Sequence, residues 1–66
     1  MRVWLREIRL AKKMTEAEVA RAVGISQPSY HRIEVGEQTP QVGTAKKIAN
    51  VLGFYWGRFW EEGLSA

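Results

Sequence analysis

The sequence of 66 residues predicts an all-α fold of five short helices, and three observations carry the prediction. Apolar residues recur three and four positions apart and never alternate over a sustained stretch, which is the period of a helix and not of a strand. Helix-start residues are answered by glycines along the chain: Thr15 by Gly24, Ser26 by Gly36, Thr39-Pro40 by Gly53. A chain this short forms one compact domain that buries only about 60% of its unfolded surface, so short amphipathic helices around one small core are its economical solution.

The first helix spans 2–12, with Trp4, Leu5, Ile8 and Ala11 as its inward stripe and Arg2, Arg6 and Lys13 off it. A second begins at Thr15, an N-cap whose partner Glu18 stands three residues on, so that each side chain can satisfy the other's orphan amide. Met14 and Val19 occupy the staple positions, and Gly24 ends the helix where a left-handed residue is sterically free. At two turns it depends on tertiary packing. Ser26 caps the third helix, with Pro28 in the first turn and Gly36 at the end. Thr39-Pro40 reads as cap and first helical residue of the fourth, whose inner stripe is Ala45, Ile48, Ala49 and Leu52. Gly43 costs that helix about 1 kcal/mol relative to alanine. The fifth covers Tyr55–Glu62. The domain is therefore expected over 1–62, with 63–66 as a short tail.

Composition narrows the function. Cysteine is absent, a single histidine (His31) is present, and all seven acidic residues are glutamates, so thiolate zinc sites, disulfides and an Asp-based triad are excluded. Ser26, Ser29 and Ser65 have no base at a fixed spacing, so no catalytic set assembles and no metal or cofactor is expected. No run of about 18 apolar residues and no basic-then-apolar leader opens the chain, which predicts a cytoplasmic protein away from membranes. Ten Lys and Arg against seven Glu leave +3, unevenly placed. Residues 1–13 hold five cations against Glu7 alone, 39–60 hold Lys46, Lys47 and Arg58 with no acid, and the middle of the chain is net acidic. A mild basic balance suits nucleic acid without demanding it.

The unit at about 16–35 is the informative one: helix, a turn through Gly24, helix. Helices joined this tightly cross steeply, and the first props the second outward. Tyr30 and Ile33 of the second face the core, while Pro28, Arg32 and Val35 point the other way, flanked by His31 and Ser29, and Gln27 leads at the tip. Arg can bond guanine O6 and N7 together, Gln can do the same to adenine N6 and N7, and proline offers an apolar face to a thymine methyl. An ordinary helix pair with a polar outer face would carry the same pattern.

Leu5, Ile8, Arg9, Met14-Thr15, Val19-Ala20 and Val23-Gly24-Ile25-Ser26, followed by Arg32-Ile33-Glu34, Gly36, Pro40, Lys47-Ile48-Ala49 and Leu52-Gly53, stand at the spacing of one known family. Over residues 5–60 the chain resembles the phage repressor and Cro-type (xenobiotic-response-element) helix-turn-helix proteins, and it is similar to the small immunity-type regulators of Gram-positive mobile elements. The resemblance implies a five-helix, phage-repressor-like DNA-binding domain that regulates transcription, usually as a repressor, with its third helix in the major groove of a palindromic operator and two copies on the DNA. It puts base contacts on Ser26, Gln27, Pro28, Ser29 and Arg32, and a partly buried ion pair on Arg9 and Glu34. Residues expected on the phosphate side are Lys12, Lys13, Thr15, Glu16, His31, Thr39 and Thr44, joined by the backbone amides that open helices two and four.

Three departures from the family stand out. Glu16 replaces a glutamine that supports the DNA backbone, the loop Val35–Thr39 lacks the usual cation, and Tyr30 stands where a branched aliphatic is common. Seven aromatics, five of them in 54–60, exceed what a small core absorbs. Tyr55 and Trp60 are the surplus, available either to join two copies or to cover the open end of the core. The competing reading is an antitoxin or accessory regulator that grips a protein partner with this aromatic end and binds DNA weakly.

Overall fold

The structure is a computed structural model, and it describes residues 1–61. Within them the chain forms five helices and no strand: α1 (Val3–Ala11), α2 (Glu16–Val23), α3 (Gln27–Val35), α4 (Val42–Leu52) and α5 (Arg58–Glu61). Glu62 and the expected tail at 63–66 lie outside the described residues.

The caps read from sequence hold α2 and α3. Glu18 N–H donates to Thr15 Oγ1 at 3.1 Å and Thr15 N–H donates to Glu18 Oε1 at 2.9 Å, a complete capping box. Those bonds keep the Glu18 carboxyl below its ordinary pKa, since both favour the carboxylate. Ser29 N–H donates to Ser26 Oγ at 3.2 Å, opening α3. Gly24, Gly36 and Gly53 take φ of +86°, +88° and +80° and close α2, α3 and α4. α1 instead ends through Lys13 at φ +57°, a left-handed turn without a glycine.

Leu5, Val19, Tyr30, Ile33, Ala45, Ile48, Leu52 and Phe59 form one buried core, so every helix contributes to it. Trp4, Phe54 and Phe59 close its lower end as a mutually edge-on trio, with ring centroids 5.2–5.7 Å apart.

Four details of the sequence reading change. The fourth helix starts at Val42 behind Gln41, not at Thr39-Pro40, because Pro40 is buried and the Thr39 hydroxyl serves another group, described below. The fifth helix is reduced to Arg58–Glu61. Before it, Tyr55–Gly57 form a turn whose carbonyls accept from Arg58, Phe59 and Trp60 at i+3, and the Tyr55 ring lies where a Cβ on Gly57 would sit. On α1, Ala11 is exposed while Arg9 and, just before the helix, Arg2 are buried. Val35, read with Pro28 and Arg32 on the outer face, is half-buried where those two are exposed.

Candidate nucleic-acid interface

α2 packs across α3 and presents the first turn of α3 to solvent. Of the five positions expected to read bases, Ser26, Gln27, Pro28 and Arg32 are exposed and Ser29 is half-buried, in a strip along α3 and its N-cap. Ser26 Oγ donates to Ser29 Oγ at 2.8 Å, which ties the two hydroxyls together at the tip.

Glu16, the first residue of α2, organises this strip. Its Oε1 accepts from Gln27 Nε2 at 2.9 Å, and both carboxylate oxygens lie 3.1 Å from His31 Nδ1. A carboxylate can only accept, so it selects the amide orientation with nitrogen turned inward. Glu16 leaves Gln27 Oε1 and its second N–H unused, an acceptor and a donor of the kind that can pair with adenine N6 and N7. Glu16 is thus engaged by two neighbours on α3. Sequence reasoning missed this cluster. Its only signal was that the first residue of α2 faces the first turns of α3 in a helix-turn-helix.

Behind the strip, Arg9 and Glu34 pair as the resemblance implied. Arg9 Nε donates to Glu34 Oε2 at 2.8 Å and Nη2 to Oε1 at 2.9 Å, a bidentate fork, while Nη1 donates to the Met14 carbonyl at 2.8 Å. The Glu34 side chain is 1% exposed. Burial alone pushes its carboxyl up, but the Arg9 guanidinium and the nearby Tyr30 hydroxyl outweigh that and hold it below the usual carboxylate range. The hydrogen bond to Glu34, opposed in part by burial, raises Arg9, so both partners stay charged. The fork welds α3 to α1 and sets the height at which the outer strip projects.

The phosphate-side residues spread over two borders of the strip. Thr15 and Lys13 are exposed at the start of α2, and Thr15 already carries its capping bonds. Thr39 is exposed on the loop after α3 and Thr44 half-buried in the first turn of α4. Lys12 lies against Gly53, at the end of α4 opposite Thr44. Gly43 has open space where a Cβ would stand.

The charge map sharpens accordingly. Of the five cations in 1–13, Arg2 and Arg9 are buried. In the second basic segment, Lys46 Nζ sits 5.0 Å from the Trp56 ring centroid and Arg58 Cζ 4.6 Å from that of Trp4, both at the aromatic end. There Tyr55 is 63% and Trp60 42% exposed, as expected of the surplus aromatics, whereas Phe59 is 2% exposed. Among the described residues no three His, Cys, Asp or Glu side chains converge as metal ligands, and no helix is long and apolar enough to cross a membrane.

Known proteins share this pattern. The helix-turn-helix family matches residues 5–57. An uncharacterized HTH-type transcriptional regulator of Bacillus subtilis, YqaF, is 45% identical over 62 residues, covering 94% of this chain and 82% of its own. The cryptic phage CTXphi transcriptional repressor RstR of Vibrio cholerae is 31% identical over 49 residues, 74% of this chain and 44% of RstR. A second B. subtilis HTH-type regulator, YqaE, is 35% identical over 48 residues, 73% of this chain and 41% of its own. This chain therefore spans most of YqaF but less than half of RstR and YqaE. No solved structure matches it.

Proposed function

Because the chain belongs to the helix-turn-helix family, we propose that it regulates transcription in the cytoplasm by binding double-stranded DNA, with α3 in the major groove. The observation that carries this reading is the outer strip of α3, where Glu16 holds Gln27 ready and Arg32 stands exposed beside it. Repression is the expected sign, the relative RstR being named a transcriptional repressor, and occlusion of a promoter is how this chain would bring it about. Two copies bind a palindromic site with half-sites about 34 Å apart. The exposed Tyr55 and Trp60 supply the surface that joins them. Phosphates are met by Lys13, Thr15, His31, Thr39 and Thr44, by Lys12 on the flank, and by the amides that open α2 and α4. Glu16 acts there through Gln27 and His31 and not as a phosphate ligand. The protein acts by binding, not by catalysis.

Selection of duplexes from a random pool at low salt, followed by sequencing, tests the reading. A two-fold symmetric motif is expected. A single enriched half-site would remove the preformed pair, and no enrichment from folded protein would remove DNA reading. On the selected site, Arg32→Ala should erase the preference at one base pair, a loss of about 1–3 kcal/mol there, and leave the other positions unchanged. Uniform weakening at all positions would make Arg32 a backbone contact. Trp60→Ala should raise the concentration needed for self-association, read by sedimentation, without moving the monomer's melting midpoint. A variant that simply melts would assign Trp60 to the core.

A further inference from the structure

Arg2 belongs to none of the base or phosphate sets above, yet it is 5% exposed and threaded through the back of the recognition unit. Its backbone N–H donates to the Glu34 carbonyl at 2.8 Å. Its guanidinium Nη1 donates to the carbonyls of Ile33 and Gln38, the latter at 2.9 Å, and Nη2 donates to Thr39 Oγ1 at 3.2 Å. Cζ stands 5.3 Å from the Phe59 ring centroid. One side chain thus joins the end of α3, the loop that follows it and the aromatic floor of the core.

That loop forms one wall of a concavity of about 320 Å³ beside α3, where Gln38, Thr39, Gln41 and Thr44 face Ser29 and Ile33. Thr39 is exposed at its rim, and its hydroxyl oxygen is the group Arg2 holds from behind. A hydroxyl that accepts from a guanidinium keeps its own hydrogen for a different acceptor, and the polarised O–H donates more strongly.

We propose that Arg2 is a positioning residue for DNA-backbone binding: by grasping Thr39 and Gln38 it sets the loop after α3 so that the Thr39 hydroxyl donates to a phosphate beside the recognition helix. This rests on the DNA-binding reading above. The side chain never touches DNA. It supplies through a hydroxyl what the loop lacks as a cation.

The test measures affinity for the selected duplex and the melting midpoint of Thr39→Val, Thr39→Ser, Arg2→Lys and the double variant Arg2→Lys/Thr39→Val. A lysine keeps the charge but loses the fork. Thr39→Val should bind about tenfold more weakly and melt somewhat lower, because an Arg2 N–H loses its acceptor, and Thr39→Ser should bind and melt as the parent does. Arg2→Lys should lose about tenfold, and the double variant no more than the weaker single one, since both changes break the same link. Losses that multiply, or Thr39→Val binding like the parent, overturn the proposal. Should Arg2→Lys fail to fold, Arg2→Gln takes its place in the same cycle with Thr39→Val, and equal affinity of Thr39→Val and Thr39→Ser ends the proposal by itself. A parent protein that binds no duplex removes the DNA reading and this role together, whereas normal parent binding indifferent to Thr39 removes this role alone.

Discussion

Glu34→Ala should lower stability by about 3–5 kcal/mol, the cost of leaving the buried Arg9 guanidinium without its carboxylate. A domain of this size is stable by only about 3–10 kcal/mol, so the variant should be largely unfolded near its parent's working temperature. Its melting midpoint should drop by more than about 12 °C. Glu37→Ala, three residues away on an exposed loop, should stay within about 0.5 kcal/mol of the parent. Thermal melts of the two variants check this, and equal midpoints would mean that the fork contributes nothing. The same pair predicts a direction with pH. Glu34 is held below its unfolded value, which lies near 4.3. Its stabilisation is therefore complete above that value and is lost as pH falls through the lower, folded one. Stability should thus fall in acid below about pH 4, and Glu34→Gln should flatten that part of the curve.

DNA affinity should depend on salt with a log-log slope near −4 for a pair of copies, about two phosphates neutralised by each. Between 50 and 200 mM salt that is a loss of about 250-fold, roughly 3 kcal/mol. The slope is shallow because of where the cations are. Arg2 and Arg9 are buried, Lys46 and Arg58 lie over indole rings at the aromatic end, and Lys12 lies toward Gly53. In the proposed phosphate set Lys12 and Lys13 are the two lysines, both exposed, and the other members are hydroxyls, His31 and backbone amides. A titration of affinity against salt measures the slope. A value near zero would remove DNA binding, and one near −8 would show that many more cations reach the backbone.

The candidate strip was readable in advance because it depends on one helix and its cap. Ser26 opens α3, Pro28 is tolerated in the first turn, and helical spacing then separates Tyr30 and Ile33 from Gln27 and Arg32. Val35 escaped that reading, since a residue at the end of a nine-residue helix is covered or exposed by its neighbours and not by its own period. The Arg9–Glu34 fork joins residues 25 positions apart, and only the resemblance to a family pointed to it. Glu16 was identified by position, but its contacts to Gln27 and His31 were not, since they join residues 11 and 15 positions apart.

The amino-acid order alone determined the helical period, the capping box at Thr15 and Glu18, the Ser26 cap and the left-handed glycines that close α2, α3 and α4. Each of these is settled within about four residues, where bond geometry and a single hydrogen bond decide the outcome. Thr39-Pro40 carried the same local signal and failed. Its hydroxyl serves a guanidinium 37 positions away, and Pro40 is buried, so the helix starts two residues later. Arg2, read as a surface cation, became buried because the carbonyls at the end of α3 and a threonine hydroxyl satisfy it there. A side chain with five donors goes where acceptors converge, and that convergence exists only once α1, α3 and the loop between α3 and α4 have come together.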